Sequence, residues 1–291
     1  MAPRKRVIAH RYEGGLGSFS TIAGLHERPW LERLRKAVRE RSFVLHYQPI
    51  VSLASGEVSH HEALVRLADE PDGSLVAPGR FLPAAERYAL VQQIDRVVLT
   101  EAVSLLARTR VRPRLFSSQL GPCDRMPTAR IAVNLSALSI TDPGMLTHIE
   151  RELSRVAIDP RRLIVEITET AAISDMSRAQ RFCRDLQSLG VKVSLDDFGV
   201  GFGSFQYLKQ LPFDYLKIDG GFIEHLAFSR EDQLVVKALV GVAAGMGKET
   251  VAEFVTDEQT VELLREYGVN YAQGFQIGRP SAAGEAFACA A

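Results

Sequence analysis

Between residues 130 and 273 the chain repeats one pattern, a short apolar strand followed by a helix-forming stretch. The strand-like runs are 130–134, 162–168, 191–197, 214–219, 249–253 and 270–273. The helical stretches between them fall near 144–156, 174–189, 205–211, 232–246 and 257–267. Strands that alternate with helices of this length form parallel sheets, because parallel neighbours need a long crossover. Two more runs precede the repeat, 43–53 and 58–67, joined by Ala54-Ser55-Gly56-Glu57. Four residues cannot make a parallel crossover, so this pair is expected as an antiparallel hairpin. The expected fold is therefore α/β: a TIM-like (β/α)8 barrel with one antiparallel strand near its start. No glycine-rich dinucleotide fingerprint follows a strand, which argues against an open doubly wound sheet.

The remaining stretches are expected as follows. Residues 30–41 carry Leu31, Leu34 and Val38 at helical spacing, and 81–90 and 94–108 also read as helices. Residues 112–128 hold three prolines and read as a long loop. Residues 1–28 read as a mobile arm and 29–291 as the barrel domain. A phosphate-binding reading of Gly14-Gly15-Leu16-Gly17 in that arm lacks a preceding strand.

Composition narrows the function classes. Of 291 residues 46% are apolar, enough for a large core. The 35 basic residues balance the 35 acidic ones, so net charge gives no reason to expect a nucleic-acid polymer as partner. No apolar run reaches the roughly 18–20 residues of a membrane span, so no membrane segment is expected. The basic N-terminus lacks an apolar h-region, so no secretory signal is expected. Three scattered cysteines, Cys123, Cys183 and Cys289, make no metal-spaced or paired set. The simplest compartment is a reducing cytoplasm.

The chemistry sits where the strands end. In order they close with Glu62, Asn134, Glu166, Asp196 with Asp197, Lys217 with Asp219, Glu253 and Gln273. In a barrel the C-terminal strand ends converge on one mouth. A single acidic strand end is commonly a solvated boundary or a helix cap. Acidic or amide residues closing strand after strand point instead to a metal site. Neighbouring side chains on a strand face opposite ways, so Asp196 and Asp197 can share a point only where the backbone turns. Gly199, Gly201 and Gly203 follow and permit a turn.

An oxygen-rich set without clustered His or Cys favours Mg²⁺ or Mn²⁺ over Zn²⁺. So many carboxylates suit two ions and the hydrolysis of a phosphodiester. Lys217 shares a face with Asp219 and can orient or help deprotonate an attacking water, or it can be a structural ion pair. Arg66 shares Glu62's face, where it can grip a phosphate or close a rim salt bridge. Several further residues carry two readings each. His60 and His61 read as hairpin residues rather than ligands. Tyr47 and Phe275 read as core or as stacking rings, and Asp95 as a surface charge or a contact to a base.

Taken together, Tyr47-Gln-Pro-Ile50, Glu62-Ala-Leu-Val-Arg66, Phe81-Leu-Pro-Ala-Ala-Glu86, Val133-Asn-Leu-Ser136, Glu166-Ile-Thr-Glu169, Asp196-Asp-Phe-Gly199, Lys217-Ile-Asp219, Ala252-Glu253 and Gln273-Gly-Phe275 resemble the EAL-domain phosphodiesterases that linearise cyclic di-GMP. The segments run in family order over most of the chain. The resemblance implies cyclic di-GMP as substrate, the linear dinucleotide pGpG as product, and Mg²⁺ or Mn²⁺ as cofactor, with Ca²⁺ inhibitory. It implies metal ligation by Glu62, Asn134, Glu166, Asp196, Asp197 and Glu253. It implies a catalytic set of Lys217, Glu253 and Glu169, with Glu169 holding the loop after Asp197. Substrate contacts would come from Gln48, Leu64, Arg66, Asp219 and Gln273. It also implies a homodimer, and regulation through the arm, the dimer contact or a separate regulatory protein.

Three departures from the family pattern stand out. Phe254 takes the place of a glycine, and Thr256 that of a second glutamate. Val200 and Phe202-Gly203 replace Thr and Tyr-Ser in the loop after Asp197. These keep a second reading open, a receptor that binds cyclic di-GMP without turning it over. A third is an unrelated metal-dependent barrel enzyme that enolises an acid, but it gives Gln48 and Gln273 nothing to do.

Overall fold

The computed structural model of the protein describes residues 23–68, 73–109, 129–199 and 208–288. The hairpin forms as expected. β1 (Phe43–Ser52) runs antiparallel to β2 (Val58–Leu67), with Gln48 opposite Glu62. The strands that follow are β3 (Ile131–Leu135), β4 (Leu163–Thr168), β5 (Lys192–Phe198), β6 (Tyr215–Ile218), β7 (Glu249–Ala252) and β8 (Tyr271–Ala272). From β2 to β8 each pairs in parallel with the next. β8 then pairs antiparallel with β1, and β1 with β2, which closes an eight-stave barrel. The one antiparallel stave is the first. A two-residue strand, β9 (Ser281–Ala282), adds to the outer edge of β1 and was not foreseen.

The helices Val91–Arg108, Pro143–Val156, Arg230–Gly245 and Glu258–Glu266 lie within a few residues of their expected positions. Two helices follow β4: Glu169–Ser174, which was not foreseen, and Met176–Ser188, which lies within a few residues of the expected helix at 174–189. Asp175 breaks the first and caps the second by accepting from the Arg178 N–H. The helix Ala23–Glu40 starts inside the stretch expected as an arm. The expected loop at 112–128 and the first half of the expected helix at 205–211 lie outside the described residues.

The core has two parts. The larger lies between the staves and the surrounding helices. The smaller fills the barrel lumen with Ile50, Ala132, Ile164, Tyr215 and Val251, closed by Tyr271. Buried His60 stacks between the rings of Tyr215 and Tyr271 at 5.6 and 5.8 Å. Each of these positions lies two residues from a polar side chain on the same stave and so faces the same way. That parity sets a polar ring directly above an apolar plug.

Candidate active site

Every stave gives the upper lumen one polar residue: Gln48, Glu62, Asn134, Glu166, Asp196, Lys217, Glu253 and Gln273, in barrel order from β1 to β8. All eight are joined. Gln273 Nε2 donates to Gln48 Oε1 at 3.3 Å and to Glu62 Oε2 at 2.6 Å. Asn134 Nδ2 donates to Glu62 Oε1 at 2.6 Å. Lys217, 1% exposed, stands at the centre. Its Nζ lies 2.8 Å from Glu253, 3.0 Å from Asp196, 3.1 Å from Glu166 and 3.6 Å from Glu62.

Two adjacent aspartates meet the site because β5 is irregular. Its pairing with β6 slips between Leu195 and Phe198. Asp197 adopts φ +55°, the left-handed region that Asp tolerates better than most residues. Its N–H turns back to Asp196 Oδ1 at 2.9 Å. Carboxylate oxygens of Asp196, Asp197 and Glu253 thereby come within 4.8 Å of one another. Glu169, buried at the start of the helix after β4, accepts from the Gly199 N–H at 2.9 Å. It therefore clips the chain just beyond Asp197.

One ammonium does not balance this much carboxylate. Burial, against the pull of Lys217, pushes the acids of Glu166 and Glu253 well above the ordinary range. Asp196 is raised for the same reason. Burial and then the neighbouring Asp196 push Asp197 up to about 7. Glu62 goes the other way. Burial opposes its charge, but Lys217 and the amide bonds from Gln273 and Asn134 outweigh that and lower it. Burial also works against the charge of Lys217, yet Asp196, Glu166, Glu253 and Glu62 hold its ammonium well above the usual value. The donor set is all oxygen and short of positive charge. A hard divalent cation fits such a set.

The other expected contacts are distributed as follows. Arg66 lies half-buried on the same face of β2 as Glu62, and Leu64 sits between them. Its Nη1 donates to the Val65 carbonyl at 2.9 Å, and no carboxylate among the described residues is within ion-pair distance. Asp219 caps the short helix Gly220–Ile223 through the Gly221 N–H at 2.8 Å. Tyr47 is core, edge-on to Phe287 at 5.2 Å, whereas Phe275 is exposed beneath Arg279. His60 and His61 are both buried, His60 in the plug and His61 against Phe287 at 4.4 Å. Asp95 is not a surface charge. It is buried and accepts from the Ser136 N–H and from the hydroxyls of Ser136 and Ser139. This pins the turn two residues after Asn134, a role its place inside a helix did not signal. The altered loop residues Val200, Phe202 and Gly203 lie outside the described residues.

A closed (β/α) barrel with a carboxylate-rich C-terminal mouth defines a broad class of enzyme-like scaffolds. The family is narrower: the EAL domain model matches residues 31–280, and the chain belongs to the EAL domain family. It is 40% identical over 252 residues to the cyclic di-GMP phosphodiesterase PdeB of Shewanella oneidensis, covering 86% of this chain and 28% of PdeB. It is 39% identical over 261 residues to the bifunctional diguanylate cyclase/cyclic di-GMP phosphodiesterase MucR of Pseudomonas aeruginosa, covering 90% of this chain and 36% of MucR. The chain thus spans about a third of the length of these relatives. Among solved structures, the MucR phosphodiesterase in complex with c-di-GMP matches with a TM-score of 0.80 at 37% identity, over 89% of this chain and all of that one. The c-di-GMP-bound FimX EAL domain from P. aeruginosa matches with a TM-score of 0.77 at 29% identity, over 87% and 96%.

Proposed function

We propose that this chain hydrolyses cyclic di-GMP to linear pGpG at the polar ring, with a pair of divalent cations, Mg²⁺ or Mn²⁺. The observation that carries the reading is the buried Lys217 among four carboxylates, beside the Asp196–Asp197–Glu253 cluster. Glu62, Asn134, Glu166, Asp196, Asp197 and Glu253 would hold the cations. Bound there, the metals supply Lewis-acid polarisation of the phosphoryl group and an acidified water.

The chain's own groups do the rest. Lys217, kept as an ammonium, orients the carboxylates and offsets developing phosphoryl charge. Gln273 and Asn134 fix Glu62 from both sides, and the Gln273 carbonyl, without a donor among the described residues, would take a donor on the substrate. Arg66, with no carboxylate within ion-pair distance among the described residues, would grip a phosphate. Glu169 holds the segment that carries Asp197. The same reading takes the chain as a homodimer, which light scattering of the purified protein tests.

The test of activity is chromatography of cyclic di-GMP with the protein in Mg²⁺ or Mn²⁺. pGpG is expected from wild type, none from Lys217→Ala, and less when Ca²⁺ is added. Unchanged substrate at every enzyme and metal concentration overturns the proposal. One observation favours a second reading, that of a receptor without turnover: Phe254 sits strained at φ +53° next to Glu253. Metal-independent binding of cyclic di-GMP without product would select it.

A further inference from the structure

The opposite mouth of the barrel has chemistry of its own. At the N-terminal ends of the staves lies a cavity of about 630 Å³, lined on one side by Arg130, Arg161, Arg162 and Lys192, and also by Ser59, Tyr271 and the carboxylates of Glu57 and Asp159. Its cations come from consecutive staves: Arg130 precedes β3, Arg162 precedes β4 and Lys192 opens β5. Neighbouring staves are under 5 Å apart, so this side of the cavity is a basic wall.

Two of these charges are already matched. Lys192 pairs with Asp214 at 2.7 Å, and Arg161 with Asp159 at 2.8 Å. Arg130 differs. Among the described residues it has no carboxylate within ion-pair distance. It is half-buried, and its Nε, Nη2 and Nη1 donate to the Ser59 carbonyl, the Ser59 hydroxyl and the Tyr215 hydroxyl at 3.2, 2.7 and 3.3 Å. A guanidinium has five N–H groups, so one on each terminal nitrogen remains without a described acceptor. Those bonds also fix its orientation, as a preorganised anion site requires. The half-exposed Tyr271 ring supplies an apolar surface in the same cavity, whose volume falls within the usual range for small-molecule sites.

We propose that this N-terminal mouth is a second binding site, for a small phosphate-bearing molecule anchored by Arg130. The phosphoryl group takes the two free N–H groups of Arg130, and Tyr271 lines the space for whatever the phosphate carries. The site is separate from the polar ring, with the apolar plug between them, and does not depend on the activity proposed above.

Isothermal titration of the full chain at low ionic strength tests this, with inorganic phosphate and with GMP as probes. Saturable binding is expected, weakened about tenfold or more in Arg130→Gln, where the bidentate contact is lost. A smaller loss is expected in Arg161→Glu, an exposed rim position that decides the matter should Arg130→Gln fail to fold. Both variants keep the metal response of the opposite mouth. Tighter binding of GMP than of phosphate means that the cavity takes a nucleotide; equal binding means that the phosphoryl group alone is recognised. No heat from either probe at millimolar concentration overturns the proposal. So does equal affinity in wild type and every folded variant.

Discussion

Phe254 shows what one residue can do at this mouth. It sits in the left-handed region at φ +53°, next to Glu253 of the polar ring. A non-glycine residue pays about 1–2 kcal/mol there. The ring lies against Gly220, where a Cβ would overlap the Phe254 side chain. Gly220 in turn follows Asp219, so the ring, the cap and the carboxylate form one packed corner. Gly220→Ala is therefore expected to destabilise the protein by about 2 kcal/mol by overpacking. The same change should cost little in a Phe254→Gly background, since the obstructing ring is gone and the left-handed backbone is relieved. A double-mutant cycle by chemical denaturation measures this. Additive effects of the two substitutions would show that the ring and Gly220 are not in strained contact.

At the scale of elements, β5 and the helix Glu169–Ser174 act together. The slip in β5 turns Asp197 toward Asp196, and Glu169 holds Gly199 immediately after it. Glu169→Ala should lower turnover at least about tenfold and cost about 1 kcal/mol, by stranding the half-buried Gly199 N–H. Glu169→Gln keeps a carbonyl acceptor and should recover most of both. If Gln fares no better than Ala, the charge of Glu169 and not its hydrogen bond is what counts.

This clip was legible in the sequence only through resemblance to a family. The polar ring was legible from physics, because parity along each strand and the barrel rule together send the strand-end acids to one mouth. The turn at Asp197 was legible too, since adjacent aspartates can share a point only where the backbone turns; the left-handed Phe254 and the break at Asp175 were not. Each depends on which neighbour packs across from it, and no local pattern encodes that. The surface reading of Asp95 failed for the same reason. Its helical spacing reads as surface until β3 brings Ser136 and Ser139 against it.

Over the whole molecule, folding and cation binding are coupled through protons. Without metal, Asp197 keeps its proton up to about pH 7, far above the ordinary 3.8, first by burial and then by repulsion from Asp196. Between those values the folded state binds more protons than the unfolded one, so this group lowers stability as pH rises. Glu166, Asp196 and Glu253 are shifted in the same direction. Two buried histidines oppose them. Burial lowers His60 to about 3 and His61 to about 4, from 6.5. The unfolded chain takes up their protons first as pH falls, so their contribution is intact above about 6.5 and is lost on acidification. A melting curve against pH mixes the two trends, but the difference between melts in Mg²⁺ and in EDTA does not. The histidines contribute equally to both conditions, whereas a divalent cation displaces the carboxyl protons. The stabilisation by Mg²⁺ is therefore expected to grow from roughly pH 5 to pH 8, by up to about 1.4 kcal/mol per pH unit for each proton released. Asp197→Asn removes one of those protons while an asparagine still tolerates the left-handed backbone. It should flatten the Mg²⁺ dependence and leave the EDTA melt near neutral pH equal to or above that of wild type. A Mg²⁺ effect that is constant with pH in wild type would mean that the carboxylates of the ring are already ionised before any cation arrives.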